Sequence, residues 1–371
     1  MHNETLPDSE TLFDEYQELD FALLDKQYTL ADGDYSDCPP EHRPALDELL
    51  NEFADRFSTS KLDLEITDLY EAELPTERNL LVNEKCRQLP NHKYQFAMKA
   101  IKKLQLAGVV RPSDSSWRSN VVLVPKPTGK NELRENTKAE YLTGKQNTSE
   151  LYRLCLDFRN LNKILKFPQR TQFTTIDQFL HALKNKVVVS LDISSAFFII
   201  PIKESDRYKT AFWVNHHCFE FNVCVMGLKS SPYHLNKFLE KSFSDATLHE
   251  IKRDLTPEEQ ALLPNSFNEI IISYFDDFYA FADNYEQLKV CFKACLLAAR
   301  KACIKFSIEK SSFFTTKLKI LGYSFDTTAT ILSMDKLKAS AIANMKKPAS
   351  LFELHSRLAS LQYQSKFLPY L

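Results

Sequence analysis

Apolar residues recur at helical spacing after Pro44, where Leu46, Leu49, Leu50, Phe53 and Phe57 share one stripe. The same period returns in Tyr94, Ala97, Met98, Ile101 and Leu104 and stops at Gly108, which suits a helix terminus. Short apolar runs then predict strands at 109–110, 121–124 and 152–157. Thr175 and Gln178 are spaced as a capping box before Ile176, Phe179, Leu180 and Leu183, so a helix is expected over about 175–185. A buried-type strand follows at 187–191. Ser231 and Pro232 read as the N-cap and first residue of a helix carrying Leu235, Phe238 and Leu239. The apolar runs 270–274 and 278–282 flank Asp276-Asp277 and predict a hairpin. From Asn284 onward, Leu288, Phe292, Cys295, Leu296, Ala299 and Cys303 mark one face of a long helix. Strands are expected near 304–308 and 318–325. Ser350 and Glu353 are spaced as another capping box, before Leu351, Leu354, Leu358 and Leu361.

Three stretches lack such patterning. Residues 1–40 are polar and acidic and read as a flexible extension, while about 130–150 and 241–266 read as polar insertions. The order strand, helix, hairpin, helix, strand gives an α+β class, a split βαβ antiparallel sheet with helices on one face.

Charge is divided unevenly along the chain. Residues 1–75 hold 21 Asp/Glu against 4 Lys/Arg, and the remaining residues hold 28 against 43. A basic body is the electrostatic footprint of a phosphate-backbone partner; an unevenly charged solvated surface fits the same count. The eight cysteines form no C-x-x-C pair and no Cys/His cluster, so buried free thiols are expected rather than a zinc site. No stretch approaches the roughly 20 apolar residues of a membrane span, and the acidic N-terminus is unlike a signal peptide. A soluble, intracellular chain is the expectation.

The chemistry concentrates in two places. Asp276 and Asp277 are adjacent carboxylates at the turn of an otherwise apolar hairpin, where they repel and desolvate badly unless something cationic neutralises them. An acidic turn open to water is the plainer reading of that pair alone. The run Val187-Val188-Val189-Ser190-Leu191-Asp192 is a buried-type strand ending in a third acid. A central strand delivering Asp192 beside the hairpin makes a three-carboxylate cluster, the arrangement that two Mg²⁺ ions about 3.5–4 Å apart require.

These blocks resemble those of reverse transcriptases. Leu191-Asp192-Ile193-Ser194-Ser195-Ala196-Phe197 resembles the first catalytic block, and Met226-Gly227-Leu228-Lys229-Ser230-Ser231-Pro232 the second. Tyr274-Phe275-Asp276-Asp277 is similar to the family's Y-x-D-D box, Arg153 to Asn162 to its fingers motif, and Leu321-Gly322-Tyr323 to its primer grip. The flanks Ala107 to Ser113, Ser116 to Ser119, Lys347-Pro348, Leu361-Gln362-Tyr363 and Phe367-Leu368-Pro369 are similar to gypsy-type LTR-retrotransposon Pol polyproteins. The resemblance covers about 44–371, with its blocks in the family's order.

It implies a right-hand polymerase with fingers, a ferredoxin-like palm and a partial thumb. The implied divisions are an acidic N-terminal extension with one helix (1–75), fingers (76–172), palm (173–202), fingers (203–225), palm (226–325) and partial thumb (326–371). Asp192, Asp276 and Asp277 match the metal-binding acids, with the Ile193 carbonyl as an auxiliary ligand of two Mg²⁺ ions, for which Mn²⁺ can substitute. Arg153 matches the fingers arginine on the base and triphosphate, and Lys126 or Lys130 the fingers lysine. Phe197 matches the steric gate against a 2′-hydroxyl; a core aromatic is its structural alternative. Lys310 is similar to the lysine proposed to protonate leaving pyrophosphate, and otherwise reads as a solvated surface lysine. Met226 and Gly227 line the nucleotide side, with Met226 standing where retroviral enzymes place a glutamine. The implied partners are dNTPs and an RNA or DNA template with its primer, without a membrane, in the cytoplasm or virus-like particles with access to the nucleus. No protease, ribonuclease H or integrase motif accompanies these blocks, and the thumb is incomplete at the C-terminal end. A catalytically silent scaffold descended from a retroelement is the alternative; oligomeric state is open.

Overall fold

The computed structural model describes residues 26–77, 80–125, 152–166, 176–274, 277–320, 323–334 and 336–363. Pro44 lies in the first turn of α1 (Arg43–Glu52), whose Leu46, Leu49 and Leu50 are buried. Helix α2 (Asn91–Leu106) ends at Gly108, where φ is +72°, a value that favours glycine. The Gly108 N–H donates to the Gln105 carbonyl and the Val109 N–H to the Leu104 carbonyl, so the last turn is closed by backbone bonds. Strands β1 (Val110–Pro112), β2 (Ser119–Pro125) and β3 (Tyr152–Asp157) follow, then the short helices α3 (Arg159–Ile164) and α4 (Ile176–Ala182). After β4 (Val187–Ile193) come β5 (Phe212–Val214) and β6 (His217–Phe221), which complete a fingers sheet of order β1-β6-β5-β2-β3. Only the β2–β5 pairing in that sheet is parallel.

The palm is built from β4 with β7 (Ile271–Tyr274), β8 (Asp277–Ala282) and β9 (Phe306–Thr315), in the order β7-β8-β4-β9 and antiparallel throughout. Side chains alternate across a strand, so each strand feeds two cores. Val187, Val189, Leu191 and Ile193 of β4, with Phe278, Ala280 and Ala282 of β8, enter the main core. Helices α5 (Ser231–Ser242) and α8 (Tyr285–Lys301) belong to that side, with Phe238, Phe292 and Cys295 fully buried. Val188, Tyr279 and Phe281 point the other way into a smaller core with Phe179, Leu318 and Phe325. That second face is covered by α4 and by a three-stranded antiparallel sheet, β10 (Lys317–Ile320), β11 (Tyr323–Asp326) and β12 (Ile331–Met334). The expectation of helices on one face thus holds for the main core, and the opposite face is sealed at one end. Beyond it lie α9 (Lys336–Ala343) and α10 (Leu351–Tyr363); the Glu353 N–H donates to Ser350 Oγ at 3.1 Å, as the capping spacing predicts.

Three expectations need correction. Residues 241–266 are a helical layer rather than a loop: α6 (Asp245–Ile251) and α7 (Pro257–Leu262) dock on α8 through buried Leu248, Ile251 and Leu255. Their caps explain the fold, since Ser244 caps α6 and Thr256 with Glu259 forms a complete capping box for α7. Too few apolar positions, set too far apart, hid them. At α5, Ser230 is the N-cap, and the Ser231 hydroxyl instead donates to the Val225 carbonyl at 2.7 Å. The expected flexible extension is, from Lys26 onward, a strap along β9. Tyr28 is 5% exposed, Tyr35 stacks on Phe313 at 5.1 Å, and the Asp34 backbone brackets β9 by donating to Ser311 and accepting from Phe313. The insertion at about 130–150 lies outside the described residues. No described helix is long and apolar enough to cross a membrane.

A truncation separates strap from tail. Removing residues 1–40 strips Tyr28 and Tyr35 from the palm, at a cost on the order of 2–4 kcal/mol, and is expected to lower Tm by roughly 3–5 °C. Calorimetry on the full and shortened chains checks it, and an unchanged Tm would return this segment to the status of a tail.

Candidate active site

Asp192 ends β4 on the face that also carries Val188 and Ser190, and Asp277 opens β8 on the face of Tyr279 and Phe281. The β4–β8 register runs unbroken from Val187↔Ala282 to Asp192↔Asp277, so the two carboxylates stand directly opposite each other on neighbouring strands. Cross-strand partners have Cβ atoms only about 4.5–5.5 Å apart, and like charges placed so are destabilising. A cation is required.

β9 supplies one. It pairs Ser312 with Ser190 and Ser307 with Asp192, so a single β4 residue, Leu191, faces the four-residue stretch 308–311. The surplus forms a bulge, a device that re-aims side chains beside a ladder. Lys310 sits in it, with Nζ 3.3 Å from each Asp192 oxygen. Its side chain is 55% exposed, so the pair adds little to stability; its importance is its place.

Tyr279 completes this face and was not singled out from the sequence. Its hydroxyl donates to Asp277 Oδ2 at 3.4 Å while its ring packs edge-on against Phe179. Burial, and then the Asp277 charge, push the phenol far above its usual range, so it stays a donor. The signal was present: a Tyr two residues beyond an active-site Asp on a strand must share its face.

The chain after Asp192 turns sharply. Ser195 adopts the left-handed region at φ +48°, and the turn is held at both ends. The Ser194 N–H donates to the Lys305 carbonyl at 2.9 Å, and Ser195 Oγ donates to the Lys61 carbonyl at 2.8 Å. Ile193 is buried opposite Phe306. Phe197 lies in the single turn Ala196–Ile199 that follows, a turn that contacts α5, and is 6% exposed within the main core, which agrees with the core-aromatic alternative.

The fingers motif meets the second block at Asn162. Its Nδ2 donates to the Gly227 carbonyl at 2.8 Å, and its Oδ1 accepts the Lys229 N–H at 2.9 Å. Gly227 has φ +89°, a conformation costly for other residues, and Met226 beside it is partly buried against the main core. Arg159 grips Asp157 through two bonds of 2.7 Å, and that hydrogen bonding, more than the charge itself, holds the Asp157 carboxyl below its usual range. Arg153 is on β3 opposite Val124, and Tyr323 is buried at the start of β11 opposite Ile320 and Met334. Asp276, Lys126, Lys130, Leu321 and Gly322 lie outside the described residues. Among the described residues two acids meet, and no group of three candidate ligands forms.

Comparison with known proteins adds independent weight. The family model described as "Reverse transcriptase (RNA-dependent DNA polymerase)" matches residues 135–325. The retrovirus-related Pol polyprotein from transposon opus of Drosophila melanogaster is 27% identical over 331 residues, 89% of this chain and 29% of that protein. The transposon Tf2-3 polyprotein of Schizosaccharomyces pombe is 23% identical over 331 residues, 88% of this chain and 22% of its own length. Such relatives agree with the gypsy-type resemblance, and this chain spans less than a third of either. Among solved structures, the dRH form of a foamy viral protease-reverse transcriptase in complex with dsDNA superposes with a TM-score of 0.70 at 18% identity, covering 95% of this chain and 53% of that one. The same enzyme with an RNA/DNA hybrid gives 0.66 at 18% identity, covering 93% and 40%. At that identity the likeness is one of fold, the right-hand polymerase fold. The family match covers more than half of the chain and contains Asp192, Asp277, Lys310 and the Gly227 turn, and by it this chain belongs to the reverse transcriptase (RNA-dependent DNA polymerase) family.

Proposed function

We propose that this chain copies RNA and DNA templates into DNA, extending a primer 3′-hydroxyl with deoxynucleoside triphosphates, as the polymerase segment of a cytoplasmic retroelement Pol protein. One observation carries the reading: Asp192 and Asp277 face each other across β4 and β8, with Lys310 of the β9 bulge beside Asp192. Two such acids suit hard, oxygen-preferring cations such as Mg²⁺. Mg²⁺ held by Asp192, Asp277 and Asp276, with the Ile193 carbonyl, would activate the 3′-oxygen and take up charge on the triphosphate.

The remaining roles fall to the chain's own groups. Lys310 Nζ holds a proton close to Asp192, from where it can be passed to the leaving pyrophosphate oxygen. Arg153 meets the triphosphate from the fingers, with Lys126 or Lys130 beside it. The Phe197 ring shuts out a ribose 2′-hydroxyl, and Leu321, Gly322 and Tyr323 hold the primer end. Asn162 and Gly227 keep the turn between fingers and palm in one conformation, so the nucleotide meets a preformed wall.

Asp192→Asn should abolish primer extension while leaving primer–template affinity within a few-fold, because phosphate contacts are spread over the body and the lost charge is not. Extension assays with Mg²⁺ and filter binding check both halves, and near-normal extension by the variant would overturn the site. Phe197→Val should raise ribonucleotide incorporation by on the order of tenfold or more relative to the deoxynucleotide, since a gap replaces the ring. The ratio of kcat/KM for the two substrates reads this, and an unchanged ratio would move the gate elsewhere.

A further inference from the structure

We propose that the N-terminal strap, continued past α1 to Lys61, is a working part of the site: Lys26 and Lys61 hold Glu309, and Glu309 fixes where its neighbour Lys310 stands over Asp192. The inference rests on the polymerase reading above and assigns positioning residues to it.

The bulge sets the problem. Residues 308–311 have no ladder partners on β4, so the sheet alone does not fix Lys310. Three contacts from outside the palm sheet do. The Asp34 N–H donates to the Ser311 carbonyl at 3.0 Å, Lys61 Nζ lies 3.1 Å from Glu309 Oε1, and Lys26 Nζ lies 3.3 Å from Glu309 Oε2. Each carboxylate oxygen therefore has its own ammonium. The Tyr28 ring underlies both cations, at 4.8 Å from Lys26 and 5.7 Å from Lys61. Lys61 and Glu309 are largely buried, at 17% and 21% side-chain exposure, where an ion pair keeps a defined geometry better than it does on an open surface.

Lys61 also acts through its backbone. Its carbonyl takes the Ser195 hydroxyl in the left-handed turn that follows Asp192, while its side chain takes Glu309. One residue of the strap thus ties together the two segments whose side chains, Asp192 and Lys310, must meet. Glu309 is held toward Lys26 and Lys61 while Lys310, the next residue, reaches Asp192, so anchoring the one limits where the backbone of the bulge can place the other. If Glu309 is released, the bulge can relax and Lys310 loses its fixed approach to the site.

A double-mutant cycle tests this on the full chain, reading single-turnover nucleotide addition, dNTP KM and Tm for Glu309→Gln, Lys310→Ala and the pair. Glu309→Gln should slow addition about tenfold, a part of the roughly 10²–10⁴ that a positioned general acid supplies, with dNTP KM within about twofold. In the Lys310→Ala background the same change should cost nothing further. Lys26→Met, on an exposed side chain, should give a smaller loss of the same kind with Tm unchanged, which keeps the test open if Glu309→Gln destabilises the chain. Multiplying losses in the double variant, or full-rate addition by both Glu309→Gln and Lys26→Met, would overturn the positioning role while leaving the polymerase reading in place. A wild-type chain that extends no primer at all defeats both.

Discussion

Two carboxylates facing each other across neighbouring strands are a standing electrostatic cost, and the palm is organised around holding them there. Their positions follow from the β4–β8 register, which in turn follows from having both faces of the pair buried over most of its length. A slip of one residue by either strand would turn its own acid into the main core and bring the apolar neighbour, Leu191 or Phe278, out toward the site. The strand interior specifies the register, and the register delivers the acids. Among the described residues, α4 and the β10–β12 sheet pack on the second face away from Asp192 and Asp277.

Much of this was legible in the sequence because the same residues carry both fold and site. The apolar runs on either side of Asp276-Asp277 and before Asp192 predicted the strands, and the strands supplied the carboxylates. Gly108 and Gly227 were legible for a related reason, since each holds a positive φ that few other residues tolerate. Patterns of this kind are local. What stayed hidden depended on contacts distant in sequence. Asn162 reads as one polar residue in a motif until its amide is seen bridging the Gly227 turn. The β9 bulge arises from register against β4, which no periodicity within β9 reports. Helices α6 and α7 were obscured by composition: each buries one thin edge, and the polarity of the rest reads as loop.

The strap changes the meaning of the charge division as well. From the sequence, an acidic N-terminal segment before a basic body reads as two parts kept separate. In the fold, the acids of residues 26–75 are laid against that body: Asp63 and Glu65 on Lys305, Asp55 on Arg300, Asp37 on Thr315 and Asp34 on Ser312. Burial would by itself raise the Asp63 carboxyl, but hydrogen bonding from Lys305 and Thr59 and the Lys305 charge outweigh it and hold it below its usual range. A carboxyl held low contributes stability above its unfolded value and loses it as pH falls through the folded one. The segment thus clamps best in its ionised form.

It follows that the sequence count of basic over acidic residues overstates what a nucleic acid would meet, because part of that excess is already neutralised by the strap. Cations of the body bound to that segment, such as Lys305 and Arg300, are spent on structure. Those that remain for phosphates must come from surfaces that these pairs leave open. Acidic residues here serve placement before they serve repulsion. A segment bound along the body by pairs of opposite charge can hold a bulge and a turn in register, as Lys26 and Lys61 do at Glu309 and the Lys61 carbonyl does at Ser195.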